Sequence, residues 1–176
     1  MSDDKHLLSQ IAAGDKTAMR VFFERYNAPL FAFLRSRGAD SQAADDAVQD
    51  AMLDVWRTAG NFANRSSIKT WLFTIARNKM IDRQRKLSRL SIVEDIPETV
   101  DDTPNAEAVL MAAQDAERVR ACLAKLKPHH LTTLRLAFYE ELTYSEIGEI
   151  EGNPEGTIKA RVHYAKRLLL RCLGRR

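Results

Sequence analysis

Apolar residues recur at steps of three and four along most of this chain, which is the spacing of one helix face and leaves room for few strands, if any. Ala44, Val48, Ala51 and Val55 form one such stripe in DSQAADDAVQDAMLDVWRTA, with Asp40 or Ser41 placed to cap its start. Before it, MRVFFERYNAPLFAFLRSRG carries apolar residues for two helices interrupted at Pro29. After it, the helix from Ile68 to Lys86 puts Ile68, Trp71, Leu72, Ile75 and Ala76 on a packing stripe. SIVEDIPETVDDTPN then breaks the pattern with two prolines, five acids and no apolar stripe, so it reads as a linker. Beyond it the stripe resumes at Val109, Ala112, Ala116, Val119, Leu123 and Leu126 and stops at Pro128. A shorter helix over HHLTTLRLAFYEEL should turn Leu131, Leu134 and Phe138 inward.

The last 35 residues can be read more closely. Thr143 and Glu146 make a T-x-x-E capping box, and Leu142 with Ile147 makes a hydrophobic staple, so a short helix starts here. Gly152 is placed to end it in a left-handed conformation, Asn153 can cap a second helix, and Pro154 suits that helix's first turn. In the second helix Ile158, Val162, Ala165, Leu169 and Cys172 share the packing face. Gly156, Thr157, Ala160, His163, Tyr164, Arg167 and Arg171 lie opposite, flanked by Lys159, Arg161 and Lys166. Helix, tight turn and cationic helix are the parts of a helix-turn-helix, which sets its second helix in the major groove with basic residues at phosphates. An ordinary amphipathic end helix with solvated charges is the competing reading. The expected architecture is all-α: a helical domain over 1–89, an acidic linker over 90–105, and a helix-turn-helix domain over 106–176.

Charge sharpens this picture. The chain has 176 residues and a net charge of +3, but residues 65–89 carry +7, residues 90–117 carry −8 with no Lys or Arg, and residues 154–176 carry +6. Two cationic segments separated by acid suit two contacts on one long polyanion. No apolar run approaches the roughly 20 residues of a membrane span, and MSDDKHLLSQIAAGDK lacks a signal peptide's basic and apolar parts, so the default location is the cytoplasm. Cys122 and Cys172 form no CxxC motif and no His/Cys cluster, so they are expected as core thiols rather than a disulfide or zinc site. His6, His129, His130 and His163 sit in no HExxH, HxH or triad-like setting, and there is no Walker A or GxGxxG loop. Neither an enzyme nor a cofactor is indicated; a nuclease using acidic metal ligands is the enzyme reading that remains.

LTYSEIGEIEGNPEGTIKARVHYAKRLL resembles the C-terminal helix-turn-helix of extracytoplasmic-function sigma factors, the small initiation factors of the sigma-70 family. DDAVQDAMLDVWRTAGNF is similar to the family segment that docks on the polymerase clamp helices, and IKTWLFTIARNKMIDRQRK to its minus-10 reading helix. Where that family has apolar residues in the turn, this chain has Glu151, Asn153 and Glu155, and Ala160 and Tyr164 stand where it has Ser and Arg. The resemblance implies three sets of contacts. Gly156, Thr157, Lys159, Ala160, Arg161, His163, Tyr164, Lys166 and Arg167 would meet minus-35 DNA. Phe62, Asn64, Arg65, Ser66 and Ser67 in the loop FANRSS would hold a melted minus-10 base. Lys69, Trp71, Arg77, Asn78, Lys79 and Arg83 on the following helix would meet the strand. Trp71 also suits the core, and Asn78 with Asp82 suits either an internal polar bond or the strand. Leu53 and Trp56 lie off the core stripe near Asp46, Gln49 and Asp50, a mixed surface that fits a protein partner, by resemblance core RNA polymerase. The resemblance further implies an anti-sigma factor that holds the protein inactive, and a linker path into the polymerase cleft. A dimeric operator-binding regulator and a sigma mimic use similar helices, but two basic segments favour the initiation factor.

Overall fold

The computed structural model describes residues 3–88 and 107–174, with side chains over 3–86 and 116–174. The acidic linker, and the side chains of Val109 and Ala112, lie outside the described residues. Eight α-helices make up the described parts: α1 (Asp3–Ala12), α2 (Lys16–Ser36), α3 (Ser41–Thr58), α4 (Ile68–Ser88), α5 (Glu107–Ala124), α6 (Pro128–Phe138), α7 (Tyr144–Glu151) and α8 (Glu155–Cys172). There is no strand among the described residues.

Local chemistry sets most of the boundaries. Asp15 Oδ1 accepts from the amides of Thr17 and Ala18 at 2.7 and 3.1 Å and starts α2, while Asp40 Oδ1 accepts from Ala43 N at 2.7 Å and starts α3. Ser67 does the same for α4, accepting from Thr70 N at 3.1 Å. The capping box of α7 is complete: Thr143 Oγ1 accepts from Glu146 N at 3.2 Å and Glu146 Oε2 from Thr143 N at 2.9 Å. Gly152 ends α7 at φ 68, a left-handed conformation that costs a side-chain residue energy.

Several expectations need correction. α2 is one helix running through Pro29, not two. Proline removes a single intrahelical donor there, and Phe22, Tyr26, Leu30, Phe33 and Leu34 are buried as one stripe on both sides of it, so packing keeps the helix going. Asn153 does not cap α8. Pro154 occupies the cap position, and Asn153 Nδ2 donates to Glu151 O at 2.9 Å. Phe138 points outward, 54% exposed, beneath Lys166 Nζ at 4.6 Å from its ring centroid. Cys122 and Cys172 are not free thiols but a disulfide tying α5 to the end of α8, and Cys172 is exposed rather than on the packing face. α1, which the sequence pattern did not single out, buries Leu7, Leu8 and Ile11 against the rest, and Tyr26 Oη donates to Asp4 at 2.8 Å.

The front half, α1 to α4, and the back half, α5 to α8, pack on one another, α2 against α6 and α4 against α7. A single buried cluster runs through both, from Leu7 through Phe33, Leu72 and Phe73 to Leu136, Ile147, Ile150 and Ile158. At the seam Ser36 Oγ and Thr132 Oγ1 are 3.0 Å apart, and Thr132 Oγ1 also donates to Ser36 O at 3.1 Å, both residues buried.

Candidate nucleic-acid interface

α7 and α8 meet through a turn with almost no spare room. A Cβ on Gly148 would stand 2.7 Å from Asn153 O, a backbone atom that cannot swing aside, so the close approach of the two helices requires glycine there. Ile158, Val162 and Ala165 bury one side of α8 against α6 and α7. The opposite side faces outward: Gly156, Lys159, Ala160, His163, Tyr164, Lys166 and Arg167 are all exposed, and Thr157 is half-buried. Gly156, Lys159, Ala160, His163 and Lys166, with Tyr144 from α7, line a shallow groove of about 420 Å³. Tyr144 is a member of that groove that sequence spacing missed, although its place one residue after the cap turns it toward α8.

Tyr164, 42% exposed, is held from two sides. The buried His130 ring lies 5.1 Å from its ring and the Arg167 guanidinium 5.4 Å over it. His130 is pushed below its ordinary pKa by burial, then by His129, Arg161 and Lys127 nearby, so the neutral imidazole is favoured. Arg161 departs from the expected outward set. It is half-buried, with Nη1 donating to Glu151 at 3.2 Å and Nη2 to Asn153 Oδ1 at 3.2 Å.

The second cationic segment has a different setting. The loop before α4 presents Asn64, Arg65 and Ser67 as exposed residues, with Asn64 at φ 54, while Ser66 and Phe62 are half-buried. Phe62 and Trp71 contact each other with ring centroids 5.0 Å apart and both lean on the core, so Trp71 joins the packing while keeping part of its surface. Asn78 and Asp82 are both exposed. Three of the long cations of α4 hold carboxylates. Lys79 Nζ lies 2.5 Å from Asp54, and Arg83 binds Asp46 and, at 3.0 Å, Asp50. Lys69 Nζ reaches Glu140 of the back half at 3.3 Å and donates to its backbone oxygen at 3.1 Å. Arg77 packs under the α7–α8 turn, where a Cβ on Gly152 would come within 3.3 Å of its guanidinium. Glu146 is buried enough to push its carboxyl up, but bonds from the Thr143 backbone and hydroxyl and from Ser67 and Thr70 outweigh that and hold it below the usual range.

On the far side of α3, Leu53 is 51% exposed and forms a cleft of about 530 Å³ with Gln49, Met52 and Trp56 and with Lys16, Met19 and Phe23 of α2. Asp46 and Asp50, expected beside this surface, turn to Arg83 instead. Phe23 was missed by periodicity: it falls off the buried stripe of Phe22, Tyr26 and Phe33 and is 36% exposed beside α3. No described helix is long and apolar enough to cross a membrane, and no described cluster of His, Cys, Asp or Glu could hold a metal.

The families described as Sigma-70 region 2 and Sigma-70, region 4 match residues 22–90 and 122–169. ECF RNA polymerase sigma factor RpoE of Cereibacter sphaeroides is 34% identical over 152 residues, covering 86% of this chain and 83% of that protein. The chain belongs to the ECF sigma factors. SigM of Mycobacterium tuberculosis, another member, is 30% identical over 173 residues, 97% of this chain and 85% of its own. Among solved structures, the sigma factor RpoE in complex with the anti-sigma factor NepR from Bartonella quintana matches with TM-score 0.65 and 25% identity over 88% of this chain and 96% of that one. CnrH in complex with the cytosolic domain of CnrY matches the fold, with TM-score 0.63 and 24% identity over 97% of each chain. As an ECF sigma factor the protein is a non-enzymatic initiation factor that works with core RNA polymerase on promoter DNA.

Proposed function

We propose that residues 1–89 form the polymerase and minus-10 unit, 90–105 a linker and 106–176 the minus-35 unit, with the following division of contacts. α8 enters the major groove through Gly156, Thr157, Lys159, Ala160, His163 and Tyr164, while Lys166 and Arg167 hold phosphates and Arg161 joins them once released from Glu151. Phe62, Asn64, Arg65, Ser66 and Ser67 surround a melted minus-10 base, whose stacking faces and edges are exposed once it is unpaired. Lys69, Trp71, Arg77, Asn78, Lys79 and Arg83 run along the strand, whose phosphates displace the carboxylates that hold Lys69, Lys79 and Arg83. Leu53, Trp56 and Gln49 anchor the polymerase clamp without Asp46 and Asp50, which Arg83 holds, and the apolar cleft toward Phe23 extends that anchor. An anti-sigma factor holds the protein inactive, and it works in the cytoplasm, where polymerase and promoters meet. The observation that carries this reading is the exposed face of α8: among the described residues Lys159, Lys166 and Arg167 hold no carboxylate.

Core enzyme supplied with this protein and a library of promoter fragments should start transcripts at discrete sites that share minus-35 and minus-10 elements. A library transcribed no better than by core alone overturns the proposal. In the same assay Leu53→Ala or Trp56→Ala should weaken core binding roughly tenfold or more, as loss of a buried apolar anchor does, while the fold survives.

A further inference from the structure

Glu151 is the last residue of α7, just before the turn to α8, and its side chain is only 3% exposed. Burying a carboxylate is costly unless it is paired, and this one is paired twice, with arginines from opposite halves of the molecule. Arg37, at the end of α2, places Nη1 2.6 Å from Oε1; Arg161, on α8, places Nη1 3.2 Å from Oε2. Burial pushes the Arg37 pKa down and Glu151 opposes that shift. Around this carboxylate the same seam holds the Ser36–Thr132 bonds, Lys69 on Glu140, and Thr70 Oγ1 donating to Glu146 at 3.2 Å.

The seam covers groups assigned to nucleic acid. Lys69 holds Glu140 and Arg77 lies under Gly152, so part of the minus-10 face of α4 is under the back half, while Arg161 is drawn from the minus-35 face. Size argues that this arrangement is not the one that sits on a promoter. A compact chain of this length has a radius of gyration of about 16 Å, hence a diameter of about 40 Å. Elements centred near minus-35 and minus-10 are about 25 base pairs, or about 85 Å, apart at 3.4 Å per pair. A closed body cannot reach both.

We propose that Glu151 is an internal latch that keeps the two halves closed over part of the α4 face, and that the protein opens when phosphate or polymerase draws Arg161 or Arg37 away. What the latch masks rests on the promoter reading; the closure itself does not. A latch of this kind lowers apparent affinity by the fraction of molecules that are open, so loosening it should raise affinity.

The test uses the full chain, with circular dichroism to confirm that each variant stays helical. Small-angle scattering of the unaltered protein should give a radius of gyration of about 16 Å. Glu151→Gln, which keeps the shape and removes the charge, should enlarge it by several ångströms, and so should Arg37→Ala, which leaves the turn intact. The double variant should expand no further than the larger single effect, because both remove one contact. Binding of a single-stranded minus-10 oligonucleotide and of a minus-35 duplex should tighten several-fold in both single variants. An unaltered protein that is already extended, or folded variants as compact as it is, would overturn the latch. Expansion with no DNA bound by any of the proteins would leave the latch standing and count against the promoter reading.

Discussion

α4 and α8 carry nearly equal positive charge in the sequence, yet the structure uses it in opposite ways. On α4, Lys79 and Arg83 hold Asp54, Asp50 and Asp46, a ladder at every fourth residue of α3, and Lys69 holds Glu140 from the back half. On α8, Lys159, Lys166 and Arg167 are exposed and, among the described residues, hold no carboxylate; Lys166 and Arg167 lie instead over aromatic rings. A window of sequence counts charge along one helix, but a field at the surface depends on what the neighbouring helices bring. The front half spends cations on its own cohesion, and the back half keeps them for a polyanion and secures itself with a covalent bond.

That bond gives the largest expected effect. Cys122 and Cys172 close a loop with a sequence separation of 50, and a crosslink of that length is worth about 4 kcal/mol by restricting the unfolded chain. Reduction should therefore lower the stability of α5 to α8 by roughly 2–4 kcal/mol, seen as faster amide exchange there, and leave α1 to α3 little changed. Equal loss in both halves would show that the asymmetry does not extend to stability.

The next effect separates the two kinds of cation. Lys166→Ala and Arg167→Ala should each flatten the dependence of log affinity on log salt for a minus-35 duplex by about 0.9, the release expected from one phosphate contact. Arg83→Ala should flatten the corresponding slope for a single-stranded minus-10 oligonucleotide by much less, because Asp46 and Asp50 already hold its guanidinium, and should cost about 1 kcal/mol or less of stability, because those ion pairs are partly solvated. If Arg83→Ala flattened the slope as much as Lys166→Ala in a folded protein, the contrast between the helices would be wrong.

What could be read beforehand follows the range of each interaction. The α7 capping box, Gly152 at its end and the α3 stripe are settled within a few residues, so spacing located them, and it narrowed the α3 cap to Asp40 or Ser41, of which Asp40 serves. The disulfide, the seam at Ser36 and Thr132, and Glu151 shared by Arg37 and Arg161 join residues far apart in sequence, and no local pattern encodes those pairings. Pro29 misled for a related reason: its local penalty is real, but burial of Leu30, Phe33 and Leu34 beyond it outweighs one lost donor. The candidate sites divide the same way. The outward face of α8 is a matter of helix period, whereas the withdrawal of Asp46, Asp50 and Arg161 into ion pairs depends on tertiary approach.

Acid should loosen the two regions in sequence, which is the smallest effect but separates them cleanly. His130, behind Tyr164 on the α8 side, has its pKa lowered by burial, with His129, Arg161 and Lys127 adding to the shift. The unfolded chain therefore binds a proton more readily than the folded one, so stability is complete above the ordinary value of 6.5 and falls as the pH drops through it toward the folded value. Glu146, which accepts from Thr70 of α4, is held below 4.5 in the folded state; its contribution is present above that value and is lost as the pH falls through the folded one. Thermal melts across this range should thus lose stability first near pH 6.5, and His130→Gln should flatten that first step only. Glu146→Gln should flatten the second step and leave the first. A His130→Gln protein that kept the full decline near neutrality would place the responsible group elsewhere.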